Sequence, residues 1–338
     1  YLLRAIVYDA VGNTTTSPFK RVRIGNDVVS ESGSAMSKIR AAVTGAHDFE
    51  IEKPSPSGKV VYASDYGLSE NASAAANLKA LQAAITYCKN TNASVLQLDP
   101  GTYYMQGEKK NQIEIKGLNN FTISGNGAKL IFSETETVYP NASFFYVSDC
   151  ESLLIQDLTI DWDWDRFPLF ITGKISEIGS KTITITSDRF NIPDDYVSIV
   201  HTKGWDYTAD NVTPNVYSLQ RSVVASQKIS DKEIRYTLSA DDTTAKVGDA
   251  LQIAFKPKLN ANAFNLEDNE NVTFYHVEIN SAPYIAVNAT GGRYLEIDNC
   301  RIVPVDGRRF TTYGGNEIHG ISGFFKFTNN TVSGVLDD

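Results

Sequence analysis

The chain repeats one seven-residue pattern, and this repeat constrains the fold more than any other feature of the sequence. In each copy an apolar residue is followed five positions later by a second apolar residue, with a short polar or Asn/Asp turn between them. The copies are Leu154–Ile160, Thr273–Ile279, Glu296–Ile302 and Lys326–Val332.

The spacing of the copies indicates stacked coils. Ile279 and Ile302 are 23 residues apart, and Ile302 and Val332 are 30 residues apart. One coil of a three-sided β-helix needs a spacing in the low twenties, and longer spacings mark loop insertions. We therefore expect an all-β fold, a right-handed parallel β-helix. A β-sandwich is the alternative, but it would not repeat the same motif on successive strands.

A strand–helix–strand segment precedes the repeats. After the apolar run Val60–Leu68, the stretch Asn77–Cys88 has apolar residues at helical spacing, and Ala93–Tyr103 reads as a strand ending in a Pro-Gly turn. This order resembles the N-terminal cap of pectin-lyase-like β-helices. The resemblance implies a helix that covers the open end of the stack, where apolar surface and unpaired edges would otherwise meet water.

Two other regions depart from the repeat. Between about 165 and 260 the sequence alternates as antiparallel strands do, which predicts a β-rich insertion standing off the coils. Residues 1–26 contain two alternating runs around an Asp/Gly/Asn/Thr turn and resemble the last strands of a bacterial immunoglobulin-like module. We expect a linker over 27–57 and the β-helix over 58–338, with further coils and other modules of the same polypeptide beyond this sequence.

Composition excludes several classes of partner. The 338 residues are 42% hydrophobic and carry a net charge of −9, so nucleic acid and anionic membrane surfaces are poor partners. We found no apolar run that could insert into a bilayer. The isolated residues Cys88, Cys150 and Cys300 predict buried thiols rather than a zinc site or disulfides, and no cofactor is expected.

The stretch Arg308–Asp338 is the most informative for function. It resembles a block in glycoside hydrolase family 110, the inverting α-galactosidases: Arg309, Thr311, His319, Gly323 and the pair Asp337-Asp338 fall on that pattern. Leu158–Leu169 likewise resembles the segment that precedes the insertion of that family. The resemblance implies a hydrolase that releases terminal α-linked galactose-type sugars, with Asp337 and Asp338 as catalytic carboxyl groups.

Inverting hydrolysis needs one protonated and one ionised carboxyl group, about 6.5–9.5 Å apart. Asn316 stands where the family has an Asp, and an amide cannot serve as a general acid or base. Three interpretations are open: an introduced substitution, a naturally inactive sugar-binding relative, or a different arrangement in which Glu317 or Asp306 supplies the second carboxylate.

We expect His319, Glu317, Arg309 and Asp306 to bind substrate, together with Trp162 as an aromatic platform for a sugar ring. Each has a structural alternative: His319 as a residue stacked in a turn, and Trp162 as core beneath the insertion. The acidic run around Asp161 offers oxygen ligands for Ca²⁺, but no calcium-binding repeat accompanies it.

The leading hypothesis is thus a secreted or cell-surface glycoside hydrolase acting on a glycan. A polysaccharide lyase on the same scaffold is a competitor, although paired acids would repel a polyuronate. A non-catalytic glycan-binding or adhesin β-helix is another, because one scaffold hosts many activities.

Overall fold

The computed structural model describes residues 51–335, apart from residues 56, 188, 194–198, 202–205, 209–210, 214–218, 256, 306–307 and 309, and four short strands before residue 51. The chain divides into two units, Tyr1–Glu50 and Ile51–Asp338. In the first unit, β2 (Ile6–Tyr8) pairs antiparallel with β3 (Thr14–Thr16), and β1 (Leu2–Leu3) with β4 (Lys20–Arg21). The immunoglobulin-like identity of this unit stays a prediction.

The second unit is mostly β, with two parallel sheets. The five-stranded sheet has the order β26–β23–β20–β10–β8. Its strands are β8 (Asn111–Lys116), β10 (Tyr139–Ser148), β20 (Leu259–Glu267), β23 (Ile285–Thr290) and β26 (Gly314–His319).

The eleven-stranded sheet takes the remaining strands of each pass. Its strands are β5 (Val60–Tyr62), β6 (Val95–Gln97), β7 (Thr102–Met105), β9 (Asn119–Phe132), β11 (Glu151–Trp162), β21 (Glu270–Tyr275), β22 (Glu278–Ile279), β24 (Arg293–Asp298), β25 (Arg301–Ile302), β27 (Ser322–Thr328) and β28 (Thr331–Val332).

The four copies of the repeat stack in register in this sheet. Leu154 lies beside Thr273, Thr273 beside Glu296, and Glu296 beside Lys326. The last residues of the copies align in the same way. Each copy therefore occupies the same place on a successive pass of the chain, as the spacing predicted.

Alternation along these strands places apolar rows in a shared core. One row of the eleven-stranded sheet is Ile123, Ile155, Phe274, Ile297 and Phe327. The first four are almost fully buried, whereas Phe327 is 44% exposed because, among the described residues, no strand pairs beyond β27. The free thiols of Cys88, Cys150 and Cys300 are also buried, as expected.

The predicted helix is present and longer than expected. Helix α1 spans Ala74–Thr91; the Ser73 side chain caps its first turn, and Asn92 in the left-handed region ends it. The amide of Gln82 bonds the backbone N–H and C=O of Glu114, at distances of 2.8 and 3.0 Å. Because β8 is an edge strand, this contact satisfies backbone groups that would otherwise be unpaired. A short 3₁₀ helix, Ala63–Tyr66, precedes α1.

An antiparallel sheet falls inside the predicted insertion. Its order is β14–β19–β12–β13–β18–β17. The strands are β12 (Phe170–Gly179), β13 (Thr182–Ser187), β14 (Ile199–His201), β17 (Val223–Ser230), β18 (Glu233–Leu238) and β19 (Ala250–Phe255), and β15 (Asp206–Thr208) pairs separately with β16 (Asn211–Thr213). The sheet has a hydrophobic core of its own, which includes Ile185, Tyr236 and Ile253.

In the described part of the chain, no helix is long and apolar enough to cross a membrane.

Candidate functional site

The outward face of the five-stranded sheet carries two rows of polar side chains, which we call the open face. Strand alternation and parallel register define both rows. The first row is Glu114, Tyr146, Asn265, Asn288 and Glu317, and the second row is Lys116, Ser148, Glu267, Thr290 and His319. Inward positions of the same strands hold core residues such as Phe145 and Phe264.

Hydrogen bonds across neighbouring strands order the middle of the open face. The hydroxyl of Tyr146 donates to the carboxylate of Glu267. The side-chain amide of Asn288 donates to Oδ1 of Asn265 at 3.2 Å. The hydrogen bond to Glu267, with burial, raises the pKa of Tyr146 to about 12, so this phenol stays protonated at neutral pH.

A groove of about 400 Å³ lies over these residues. Tyr146, Asn265, Glu267, Asn288 and Thr290 line it, with lysines at one end. Amides, hydroxyls and a carboxylate offer both hydrogen-bond donors and acceptors. Such a lining suits a ligand with many hydroxyl groups.

Glu317 and His319 extend the two rows at the β26 edge. Nε2 of His319 lies 3.6 Å from Oε2 of Glu317, and their side chains are 63% and 41% exposed. The structure therefore brings together these two predicted substrate-binding residues on one accessible surface.

Glu267 and Glu317 are two carboxylates on this surface, separated by one intervening strand, β23. Strands lie about 4.8 Å apart and residues about 3.3 Å apart along a strand, which places the two Cα atoms about 12 Å apart. The carboxylate of Glu267 bonds Tyr146 on β10, on the side of β20 away from β26, so the 6.5–9.5 Å separation of inverting hydrolysis requires the Glu267 side chain to turn toward β23.

The placement predicted for Asn316 is wrong. Asn316 pairs in register with Val287 in the apolar row that includes Phe264, and Ile318, two residues along, packs against the core. Its Oδ1 is buried and has no hydrogen-bond partner. Alternation places Asn316 and Glu317 on opposite faces of β26, so Asn316 does not line the open groove.

For Trp162 the structure agrees with the alternative that we gave, a core residue, and not with a sugar platform. It is 1% exposed and lies in the core, with its ring stacked on Phe144 at a centroid distance of 6.0 Å. Its indole N–H donates to the carbonyl of Phe167 at 2.6 Å. A platform must be exposed to a ligand, and this ring is not.

Asp161, next to Trp162, belongs to a buried ion cluster. Its Oδ1 lies 2.6 Å from Nη1 of Arg308, and its Oδ2 lies 2.7 Å from Nζ of Lys129. The guanidinium of Arg308 also stacks over the Trp164 ring, 5.4 Å from its centroid. This cluster ties the end of β11 to the loop before β26.

Four predicted site residues lie outside the described residues: Asp306, Arg309, Asp337 and Asp338. Their roles stay predictions. Within the described ranges, no group of three or more His, Cys, Asp or Glu side chains is placed to hold a metal ion.

Sequence reasoning missed Tyr146, Asn265, Glu267 and Asn288. A signal existed for Tyr146, Asn265 and Asn288, because each occupies a polar position between apolar neighbours on an alternating strand. Their proximity in space could not be predicted from the sequence, because 121 residues separate Tyr146 from Glu267 in the chain.

Comparisons with known proteins add little. No protein-family model matches the chain, and no curated protein matches it either. Of the solved structures, one similar to it comes from Parabacteroides merdae and is described as a candidate glycosyl hydrolase, with a TM-score of 0.33, 11% identity, and coverage of 81% of this chain and 96% of that chain. Another is the surface protein and adhesin PfbA of Streptococcus pneumoniae, with a TM-score of 0.23, 9% identity, and coverage of 83% and 99%. At these TM-scores neither likeness carries an argument about this chain.

Proposed function

We propose that the second unit is a right-handed parallel β-helix that binds a glycan on its open face and hydrolyses it. The carrying observation is that Glu267 and Glu317 both lie on this outward sheet face, with Asn288 and Thr290 of β23 between them. Solvated side chains that can hydrogen-bond hydroxyl groups and two carboxyl groups are what a glycosidase of the inverting type requires.

In this proposal the two carboxyl groups have different roles. One of them acts as the general base that activates water, and the other as the general acid that protonates the leaving oxygen. Glu267 accepts a hydrogen bond from Tyr146, and Glu317 lies beside His319. This arrangement corresponds to the alternative in which Glu317 supplies a carboxylate.

The finer specificity rests on the sequence resemblance. A substrate with terminal, α-linked galactose-type sugars and a secreted or cell-surface location are parts of the proposal that come from that resemblance. Catalytic roles for Asp337 and Asp338, which the same resemblance implies, are the competing assignment of the two carboxyl groups. A lyase is disfavoured because acids on the open face would repel a polyuronate.

The test is turnover of the full chain on a panel of 4-nitrophenyl α- and β-glycosides. Glu317→Gln and Glu267→Gln should each lower kcat by about 10²–10⁴-fold, as expected for loss of a general acid or base. Glu151→Gln, which alters an exposed carboxylate on the other sheet, is the matched control and should leave kcat within about twofold.

Two other results would redirect the proposal. Loss of turnover in Asp337→Asn or Asp338→Asn, with Glu317→Gln unaffected, would move catalysis away from Glu317. Glycan binding without turnover in every form would establish the second candidate function, a non-catalytic glycan-binding β-helix, which the polar groove favours equally well.

A further inference from the structure

An apolar groove of about 830 Å³ lies between helix α1 and the segment 106–112. Ala75, Leu78 and Ala83 line it from the helix, and Gly107 lines it from the segment. A side chain at Gly107 would meet Cδ2 of Leu78 at 2.7 Å, so the glycine lets the segment approach the helix closely.

One polar atom in this groove has no partner. Gln112 is 2% exposed and lines the groove. Its Nε2 donates to the carbonyl of Lys109, which fixes the orientation of the amide and leaves Oε1 as the free acceptor. Oε1 is buried and makes no hydrogen bond. Because a buried acceptor without a donor is costly, this atom indicates a ligand that brings one.

The apolar groove adjoins the polar groove of the open face. Lys109 and Gln112 line the apolar groove, and the residues between them, Lys110 and Asn111, line the polar one. One ligand with a polar end and an apolar end could therefore occupy both grooves across this segment.

We propose that the apolar groove binds the aglycone of a glycoconjugate whose sugar lies on the open face. The aglycone has an apolar body and carries a donor, such as an N–H or O–H, that reaches Oε1 of Gln112. This inference rests on the proposed function, because it takes the open face to be the sugar site. It narrows the substrate class to glycosides of apolar alcohols, phenols or lipids.

The experiment measures calorimetric binding of methyl, phenyl and 4-aminophenyl 1-thio-α-D-galactopyranosides, which resist hydrolysis, to the full chain. The phenyl compound should bind about tenfold or more tightly than the methyl compound, because its ring leaves water. The 4-aminophenyl compound should gain a further factor of about five to ten from the hydrogen bond to Gln112.

Three variants test whether the higher affinity of the aryl compounds arises in the apolar groove. Ala83→Trp fills the groove and should remove the advantage of the aryl compounds while leaving methyl thiogalactoside binding unchanged. Ala76→Trp changes another exposed alanine of α1 that does not line the groove, and it should keep the advantage. Gln112→Met should remove only the additional gain of the amino group.

The outcomes separate this inference from the proposed function. Equal affinity for the methyl and phenyl compounds would overturn the inference and leave the sugar site intact, and so would an aryl advantage that survives Ala83→Trp. Binding of free 4-aminophenol, with no binding of any thiogalactoside, would overturn both the proposed function and the assignment of the groove to an aglycone.

Discussion

The outward faces of the two parallel sheets differ, although the strands of both stack in the same way. On the eleven-stranded sheet, the outward residues Thr273 and Glu296 are 0% and 3% exposed. The segment 51–55 lies against this face: Lys53 pairs with Glu296 at 3.0 Å, and the backbone N–H of Ser55 donates to Oδ1 of Asn120 at 2.7 Å.

On the five-stranded sheet, the corresponding outward rows carry amides, hydroxyls and carboxylates that remain accessible to a ligand. At Thr273 and Glu296 the outward position is therefore structural, whereas on the five-stranded sheet the outward rows are available for binding. Because the strand pattern is alike on both, it is the covering segment and not the strand itself that decides which face can serve as a site.

The largest expected effect is a loss of stability at β26, the edge strand of the open face, where Asn316 and Glu317 lie on opposite faces. Asn316→Asp would put a carboxylate where an amide oxygen is already buried without a partner. Since an unpaired charge at a buried atom position is disfavoured and Asn316 is partly exposed, we expect the free energy of unfolding at pH 7 to fall by about 2–3 kcal/mol. Urea denaturation measures this change. Unchanged stability with a new gain in turnover would show that position 316 faces the substrate.

Loss of an ion pair should lower stability far more on the outward face of the eleven-stranded sheet, which segment 51–55 covers, than on the open face. Lys53→Met removes a partner of the buried Glu296, which keeps Lys326 at 3.6 Å and a hydrogen bond from the Thr273 hydroxyl at 3.3 Å, and should cost about 1–2 kcal/mol. Lys116→Met removes the exposed pair with Glu114 and should change stability by less than about 0.5 kcal/mol. Equal losses, measured by urea denaturation of both variants, would remove the distinction between the two faces.

A smaller, opposite effect is expected from Asn316→Leu. It replaces an amide in an apolar row with a side chain of similar size and removes the unpaired oxygen. Thermal and urea denaturation should show a gain of about 1 kcal/mol, with turnover unchanged. A loss of stability would mean that Oδ1 has a partner or that the side chain points outward.

The smallest effect is a pH dependence at Tyr146. The pKa of this phenol is raised to about 12 in the folded protein, above its ordinary value of 10.0, so its bond to Glu267 contributes fully below pH 10. That contribution disappears as the pH rises through 12. Tyr146→Phe should therefore reduce stability slightly at pH 8 and by less at pH 12, as thermal denaturation at the two pH values would show. A constant difference between the proteins would contradict the hydrogen bond.

The repeat was the part of the fold that the sequence predicted best. Ile279, Ile302 and Val332 occupy one stacked row because a one-residue slip would turn every apolar residue of the motif to the wrong face. The cap helix was predicted equally well, because its apolar spacing can be read from one short segment of the chain.

The site was harder to predict, because it depends on which strands become neighbours. The family-like block drew attention to Asn316, although the alternation of Asn316 with Ile318 indicates that they share a face. Similarly, Leu158 and Ile160 continue to Trp162 at a spacing of two, which is typical of a buried row. The pairing of β10 with β20 spans the inserted sheet, so no local pattern could place Tyr146 beside Glu267.

Amide NMR shifts during a titration with an α-galactosyl oligosaccharide test the binding site most directly. We expect the amide signals of Asn265, Asn288 and Glu317 to shift with one common affinity, while those of Thr273 and Glu296 stay fixed. Shifts confined to the eleven-stranded sheet, or no shift on the five-stranded sheet at saturating glycan, would contradict the assignment of the open face as the sugar site.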